Sequence, residues 1–231
     1  MKVVRWAAGL AACAAVLAMV ALPPLAGAQD KARKKGAAAA ASAPAAKAAA
    51  APDYAQRFAS VCASCHGANG RSDMAGTPVL AGQPSLYAIT QLFLFREGRR
   101  DNAAMTAVAK TLSDDDMRGF ADYIGTLPPV PAPAAATPAD AARMAKGRQL
   151  AEQHRCVSCH GADLGGGQQV PRIGGQKEEY LQASLRGFKS GSRPAYTQAM
   201  VSAVSQVPVE DLDTLAYYAA RFTPPSAPAS R

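Results

Sequence analysis

The sequence has few aromatic residues and few histidines, and both shortages limit what the chain can be. Aromatic side chains make up 6% of the 231 residues, and there are three histidines. Long runs in which Val, Ile or Thr alternate with polar residues are missing, while alanine is abundant, and this balance favours helices over sheet. The composition therefore predicts an all-α protein with a small supply of imidazole ligands.

Acidic residues are outnumbered by basic ones, but the excess is not spread over one surface. Of the formal net charge of +8, residues 1–52 carry +6, residues 53–130 carry −1 and residues 138–231 carry +3. Basic patches with interleaved aromatic residues are missing, so the pattern does not indicate a nucleic-acid-binding protein. The different charges of the two later segments predict that they face different partners.

The N-terminus is typical of an exported protein. Two basic residues precede an apolar run from Trp6 to Val20, and Ala26-Gly27-Ala28 supplies the small residues of a cleavage site. We therefore predict a signal peptide over residues 1–28 and a mature protein in the periplasm. The alternative is a retained anchor, because residues 6–25 are long enough to span a membrane. Such an anchor would associate the protein with the membrane through its N-terminus.

Low-complexity segments divide the rest of the chain. Residues 29–52 are rich in Ala and Lys and predict a disordered tether. Residues 131–140 predict a Pro/Ala linker, and residues 226–231 a disordered tail. Two segments of similar size remain, 53–130 and 141–225, and we predict that each is a domain.

These two segments are copies of one another. The run Cys62-Ala63-Ser64-Cys65-His66-Gly67 recurs 94 residues later as Cys156-Val157-Ser158-Cys159-His160-Gly161. A Gly-Gln pair followed by Tyr, Leu, Phe and Gly recurs with an offset of 93, and Met105 recurs as Met200 with an offset of 95. Because the register slips by so little, the sequence indicates a duplicated domain.

Each copy is predicted to fold into three helices. The first runs into the cysteine motif, over residues 54–64 in the first copy and 141–158 in the second, and the next follows the Gly-Gln pair. The third begins at Ser113 in the first copy, where Asp116 three residues on predicts a capping box. Apolar residues then recur at helical spacing, and neither copy requires a strand.

Both Cys-x-x-Cys-His motifs indicate covalent attachment of haem. Their sulfurs can each form a thioether with a haem vinyl group, and the following histidine is then an axial ligand of the iron. A zinc site or a redox dithiol would leave that histidine unexplained. Two motifs therefore predict two haem c groups. The predicted attachment and ligand residues are Cys62, Cys65 and His66 in the first copy, and Cys156, Cys159 and His160 in the second.

The sixth ligand of each iron has to come from elsewhere in the chain. His154 is the remaining histidine, so at most one haem can have two histidines, and a surface helix position is the simpler interpretation of it. Methionine is the natural candidate, because a thioether raises the haem potential and suits electron transfer. Met105 and Met200 hold equivalent places in the repeat, and we predict them as ligands. Met117 aligns with a leucine and is predicted to pack in the core.

A proline lies between each haem motif and the Gly-Gln pair. These residues are Pro78 and Pro171. A proline carbonyl at this place can accept a hydrogen bond from the axial histidine and fix its tautomer. A plain loop proline is the alternative, and the residues alone do not separate the two.

Taken in order, these motifs resemble a class I cytochrome c domain present twice, and specifically the diheme cytochrome c4 family. The resemblance covers about residues 53–225. It implies two tandem cytochrome c-like helical domains, each wrapped around one covalently bound haem, that carry electrons in the bacterial periplasm. The long Ala/Lys tether and the extra residues before Met200 depart from the family pattern. The residues that it implies at each haem are His66, Met105 and Pro78 in the first domain, and His160, Met200 and Pro171 in the second.

Three functions remain open at this point. A carrier between respiratory partners, for example a quinol-oxidising complex and a terminal oxidase, is favoured because two His/Met irons have no open position. A cytochrome subunit of a larger dehydrogenase or oxidase would have the same site chemistry. A diheme enzyme such as a peroxidase needs an open or unusually ligated haem, for which the chain offers no spare ligand beyond His154. We therefore predict an electron-transfer protein rather than an enzyme.

Overall fold

The described part of the chain is helical throughout. A computed structural model describes residues 53–131, 137–193 and 198–223. Over those ranges there are ten α-helices and no strand, and a single antiparallel bridge joins Gly167 and Val170. The all-α prediction is confirmed. The predicted signal peptide, tether and tail, half of the linker (residues 132–136) and the insertion before Met200 lie outside the described residues.

The same order of helices occurs twice. In the first copy the helices are α1 Tyr54–Val61, α2 Ala63–His66, α3 Ser85–Arg96, α4 Ala103–Ala109 and α5 Asp114–Thr126. In the second they are α6 Ala141–Gln153, α7 Val157–His160, α8 Glu178–Ser190, α9 Ala199–Ser205 and α10 Val209–Ala220. None of the helices in these stretches is long and apolar enough to cross a membrane.

Five helices in each copy replace the three that were predicted. The expectations of one helix over residues 54–64 and of one helix over residues 141–158 are both wrong, because α1 ends at Val61 and α6 ends at Gln153. In the second copy Arg155 has a φ of 58°, in the left-handed region. A residue in that conformation cannot continue a right-handed helix. The cysteine motif therefore forms a helix of its own, and a further short helix carries the repeated methionine.

Each copy has its own hydrophobic core. The first is built around Phe58, Phe120 and Ile124, and the second around Leu150 and Leu212, all of them 4% exposed or less. Met117 is 3% exposed in the first core, which confirms that it packs there. The two cores fall within the two predicted domains, whose exact boundaries stay predictions.

The first and last helices of each copy cross at a glycine. A Cβ atom on Gly119 of α5 would lie 2.0 Å from the ring of Tyr54 on α1, and one on Gly147 of α6 would lie 2.4 Å from Cβ of Tyr218 on α10. Glycine therefore leaves room for the Tyr54 ring in the first copy and lets α6 approach the backbone of α10 closely in the second. The crossing fixes the helix that leads into each cysteine motif.

The start of α5 adds a polar link to α1. Ser113 and Asp116 form the predicted capping box, with both hydrogen bonds at 3.1 Å, so that prediction is confirmed. The Asp116 carboxylate also pairs with the guanidinium of Arg57 on α1. That hydrogen bond from Arg57 holds the pKa of Asp116 well below its usual range. The ion pair thus ties the helix before the first cysteine motif to the last helix of the domain.

Candidate haem sites

Each cysteine-histidine motif forms a single helical turn. The backbone N–H of His66 donates to the carbonyl of Cys62 at 2.9 Å, and that of His160 to the carbonyl of Cys156 at 3.0 Å. One turn therefore brings the two cysteines and the histidine of each motif together. In both motifs the first cysteine is half-buried and the second is exposed. None of the four forms a disulfide, so their sulfurs remain available for haem attachment: Cys62, Cys65, Cys156 and Cys159.

Burial keeps the first thiol of each motif protonated. It raises the pKa of Cys62 to about 11, against the lowering effect of the Arg57 charge, and it also raises the pKa of Cys156. In the described ranges, no group of three or more His, Cys, Asp or Glu side chains could hold a metal ion. The zinc alternative therefore gains no support there.

A glycine follows each histidine and turns the chain away from the ring. Gly67 has a φ of 76° and Gly161 a φ of 81°. A Cβ atom would lie 3.1 Å from the backbone nitrogen of Ser72 in the first case and 2.8 Å from a carboxylate oxygen of Asp163 in the second. The left-handed backbone angle thus favours glycine after both haem motifs, and in the first motif a side chain would also press on the backbone of Ser72.

Both motif histidines are buried and hydrogen-bonded to a proline carbonyl. His66 is 6% exposed and His160 is 5% exposed. Nδ1 of His66 donates to the carbonyl of Pro78 at 3.0 Å, and Nδ1 of His160 to that of Pro171 at 2.9 Å. Because a carbonyl can only accept, Nδ1 carries the proton and Nε2 keeps its lone pair. The donor atom that iron needs is therefore present in each domain.

The same two rings are neutral at pH 7. Burial lowers the pKa of His66, the Pro78 carbonyl opposes this, and the charge of Lys177 from the second domain lowers it further. For His160, burial lowers the pKa and the Pro171 carbonyl opposes the shift. Neutral imidazole is the form that binds a metal ion, so the electrostatics agree with the tautomer. Ligation of iron by these rings remains our prediction.

The two repeated methionines lie on equivalent short helices. Met105 is the third residue of α4, whose first turn is capped by the Asn102 side chain, which accepts the Met105 N–H at 2.9 Å. Met200 is the second residue of α9 and packs against the second core. Both are half-buried, whereas Met74 is 50% exposed. Their role as iron ligands also stays a prediction.

His154 differs from the surface residue that the sequence suggested. It caps the C-terminal end of α6, is half-buried, and its buried Nε2 atom has no hydrogen-bond partner. The ring precedes Cys156 by two residues, so it belongs to the turn that leads into the second motif. Burial at a helix cap, which the sequence pattern does not report, accounts for the difference.

Two glutamines join the domains in a reciprocal way, and we call them the clamp glutamines. The Gln176 side chain accepts the N–H of Val79 at 2.7 Å and donates to the carbonyl of Val79 at 2.9 Å. The Gln83 side chain accepts the N–H of Arg172 at 3.1 Å and donates to its carbonyl at 2.8 Å. These are the glutamines of the repeated Gly-Gln pairs, whose role the sequence pattern alone does not reveal.

A second contact between the domains is a cluster of two tyrosines and two arginines. Arg100 donates to the hydroxyl of Tyr180 at 2.9 Å, and Arg193 donates to the same hydroxyl at 3.3 Å. Burial alone would raise the pKa of Tyr180, but the charges of Arg193 and Arg100 lower it to about 7. Burial raises the pKa of Tyr87, beside them, to about 12. Two guanidinium groups at this junction suit the carboxylates of haem propionates.

Comparison with known proteins finds relatives among the cytochromes c. The model of the cytochrome c family matches residues 55–128 and 144–218. Cytochrome c4 of Pseudomonas aeruginosa is 31% identical over 174 residues, which cover 71% of this chain and 84% of that protein. The structure of reduced recombinant cytochrome c4 from Pseudomonas stutzeri has a TM-score of 0.64 and 26% identity, and the match covers 74% of this chain and 97% of that one.

A further relative has a more specific name. The thiosulfate dehydrogenase electron acceptor of Thiomonas intermedia is 37% identical over 142 residues. That match covers 58% of this chain and 65% of the relative, so the chain spans slightly less than two thirds of its length.

Two repeated motifs with free thiols, and a buried, correctly protonated histidine in each, make the chain a diheme c-type cytochrome. The prediction of two covalently bound haem c groups is confirmed. The chain belongs to the cytochrome c family, in the diheme cytochrome c4-like group.

Proposed function

We propose that the protein is a periplasmic electron carrier with no substrate chemistry of its own. The observation that carries this proposal is the pair of buried histidines, each with Nδ1 on a proline carbonyl, at 3.0 Å for His66 and 2.9 Å for His160. With Met105 and Met200 as the sixth ligands, neither iron keeps an open position for a substrate.

Different residues of the chain have different roles at each haem site. Haem iron supplies the one-electron change between the ferric and ferrous states. The two cysteines of each motif would attach the haem covalently. The hydrogen bond to the proline carbonyl would fix the orientation of the histidine ring. Arg100 and Arg193 would neutralise haem carboxylates at the domain junction, where burial makes an unpaired charge costly. The clamp glutamines connect the two sites, which suits transfer of an electron from one to the other.

For the partners, we propose a dehydrogenase as electron donor and a terminal oxidase as acceptor. The similarity to a thiosulfate dehydrogenase electron acceptor supports a donor that oxidises an inorganic sulfur compound. A quinol-oxidising complex is the alternative donor. The same similarity supports a second candidate function, in which the chain is the cytochrome subunit of a larger dehydrogenase. Co-purification with a catalytic subunit at fixed stoichiometry would distinguish a subunit from a free carrier.

We expect the ferric protein to be reduced rapidly by a thiosulfate dehydrogenase supplied with thiosulfate. Stopped-flow absorbance measures the second-order rate constant. The domains differ in net charge, −1 over residues 53–130 and +3 over residues 138–231. The rate constant should therefore depend on ionic strength, with about a tenfold change between low and physiological salt.

Matched charge reversals identify the docking domain. Lys110→Glu changes the first domain and Lys146→Glu the second, and both side chains are exposed. Only the variant in the docking domain should change the rate constant. Catalytic consumption of hydrogen peroxide by the wild-type protein, without reduction by either class of donor, would contradict the carrier function. A rate constant independent of ionic strength would contradict the electrostatic docking but not the carrier function.

A further inference from the structure

In each domain the peptide bond that holds the axial histidine is also held by the other domain. The carbonyl of Pro78 accepts the Nδ1–H of His66 at 3.0 Å. The N–H of the same peptide unit belongs to Val79 and donates to Oε1 of Gln176 at 2.7 Å. A continuous chain of hydrogen bonds therefore runs from the second domain, through one peptide group, to the imidazole of the first.

The reverse chain is also present. The carbonyl of Pro171 accepts the Nδ1–H of His160 at 2.9 Å, and the N–H of Arg172, in the same peptide unit, donates to Oε1 of Gln83 at 3.1 Å. The clamp glutamines are 5% and 4% exposed and the histidines are similarly buried. Each chain thus lies where water does not screen it, and the two chains are related by the domain duplication.

Hydrogen bonds in such a chain strengthen one another. When an amide oxygen accepts the N–H of a peptide, it polarises that peptide and places more negative charge on its carbonyl oxygen. The carbonyl then becomes a stronger acceptor for the histidine Nδ1–H. A stronger hydrogen bond at Nδ1 makes the ring a better electron donor to a metal at Nε2, and this favours the ferric state.

We propose that Gln176 and Gln83 are positioning residues that lower the potential of the haem in the opposite domain through the Pro78–Val79 and Pro171–Arg172 peptide units. The inference rests on the proposed ligation by the motif histidines. It makes the potential of each haem depend on how the two domains are docked. A partner that shifted the domain junction would therefore change the driving force for electron transfer between the haems.

Substitution of each clamp glutamine by methionine tests the proposal, because methionine has a similar length and no amide. We expect Gln176→Met to raise the ratio of reduced to oxidised haem in the first domain about threefold at a fixed applied potential. At 59 mV per tenfold change, this corresponds to a rise of about 30 mV in the midpoint potential of that haem. The haem of the second domain should not change. Gln83→Met should give the reverse pattern. Gln56→Met and Gln153→Met, at exposed positions of α1 and α6, are the matched controls.

Each haem is followed through its own NMR resonances during a redox titration of the full-length holoprotein. In the reduced protein labelled with ¹⁵N-histidine, the Nδ1–H signals are assigned by their contacts to Pro78 or Pro171. We expect the His66 Nδ1–H signal to move upfield in Gln176→Met, as its hydrogen bond weakens. A protonated glutamate in Gln176→Glu can still accept the Val79 N–H and donate to the Val79 carbonyl. This form should restore the wild-type potential and the wild-type position of the Nδ1–H signal.

Two patterns would overturn the proposal. In one, the haem in the same domain as the substitution shifts, or both haems shift equally, as expected of a general loosening. In the other, neither the potentials nor the Nδ1–H signals move. Failure of the proposed ligation would give a different result. The wild-type ferric protein, with both glutamines unchanged, would then contain a haem that lacks low-spin His/Met signals.

Discussion

The ferric Met200→Ala variant is expected to contain one high-spin haem beside one low-spin haem. Alanine cannot supply a thioether, so the iron of the second domain would lose its sixth ligand and bind cyanide at low concentration. Its potential should fall, because the thioether is the ligand that raises it. The Met200→His variant should keep a low-spin haem with a potential lower by on the order of 0.2 V, within the roughly 0.8 V that axial ligands span.

Met144→Ala is the matched control for this prediction. Met144 is also half-buried and also packs against the second core, but it lies on α6 before the haem motif. Electron paramagnetic resonance and optical titration should show two low-spin haems in that variant. A Met200→Ala variant with unchanged low-spin signals would show that another residue, for which His154 is the candidate, ligates the iron.

Phe58→Ala is expected to destabilise the first domain by about 3–5 kcal/mol, the usual cost of removing a fully buried phenylalanine. Phe58 is 0% exposed, and its ring centroid lies 5.2 Å from that of Tyr123 on α5. Its loss would leave a cavity between the helix that leads into the first cysteine motif and the last helix of the domain. Native-state hydrogen exchange, which reads the free energy of opening residue by residue, measures the effect.

The control for this core substitution is Phe93→Ala. Phe93 is 40% exposed on α3 and contacts the Arg96 guanidinium at 5.7 Å from the ring centroid. Its removal should cost about 1 kcal/mol or less. Equal losses of protection from the two substitutions would contradict the description of Phe58 as the centre of the first core. In both variants the amides of the second domain should keep their wild-type protection.

Local patterns in the sequence were enough to predict the helical class, the duplication and both haem motifs. Cys-x-x-Cys-His specifies its chemistry by spacing alone, and the capping box at Ser113 depends on two residues three positions apart. The short helices α4 and α9 could not be predicted, because seven residues are too few to show a helical period. The break of the helix at Arg155 was missed for a related reason, since no glycine or proline marks that left-handed residue.

Contacts between the domains were beyond sequence reasoning. The Gly-Gln pairs were visible as a repeat, but a polar side chain near a glycine is usually interpreted as part of a turn. That Gln176 reaches the backbone of Val79 depends on how two folded domains pack, over 97 residues of separation. The tyrosine and arginine cluster is likewise assembled from both domains, because Arg100 of the first domain and Arg193 of the second both donate to the Tyr180 hydroxyl.

The most direct test of the account is electron paramagnetic resonance of the purified ferric protein, with haem counted per polypeptide. The account predicts two haems per chain, both low-spin with one histidine and one methionine ligand, and no change on addition of peroxide or of low concentrations of cyanide. A single haem per chain, or one haem that is high-spin and binds these ligands, would contradict it. The second result would direct the search to a substrate at the open iron.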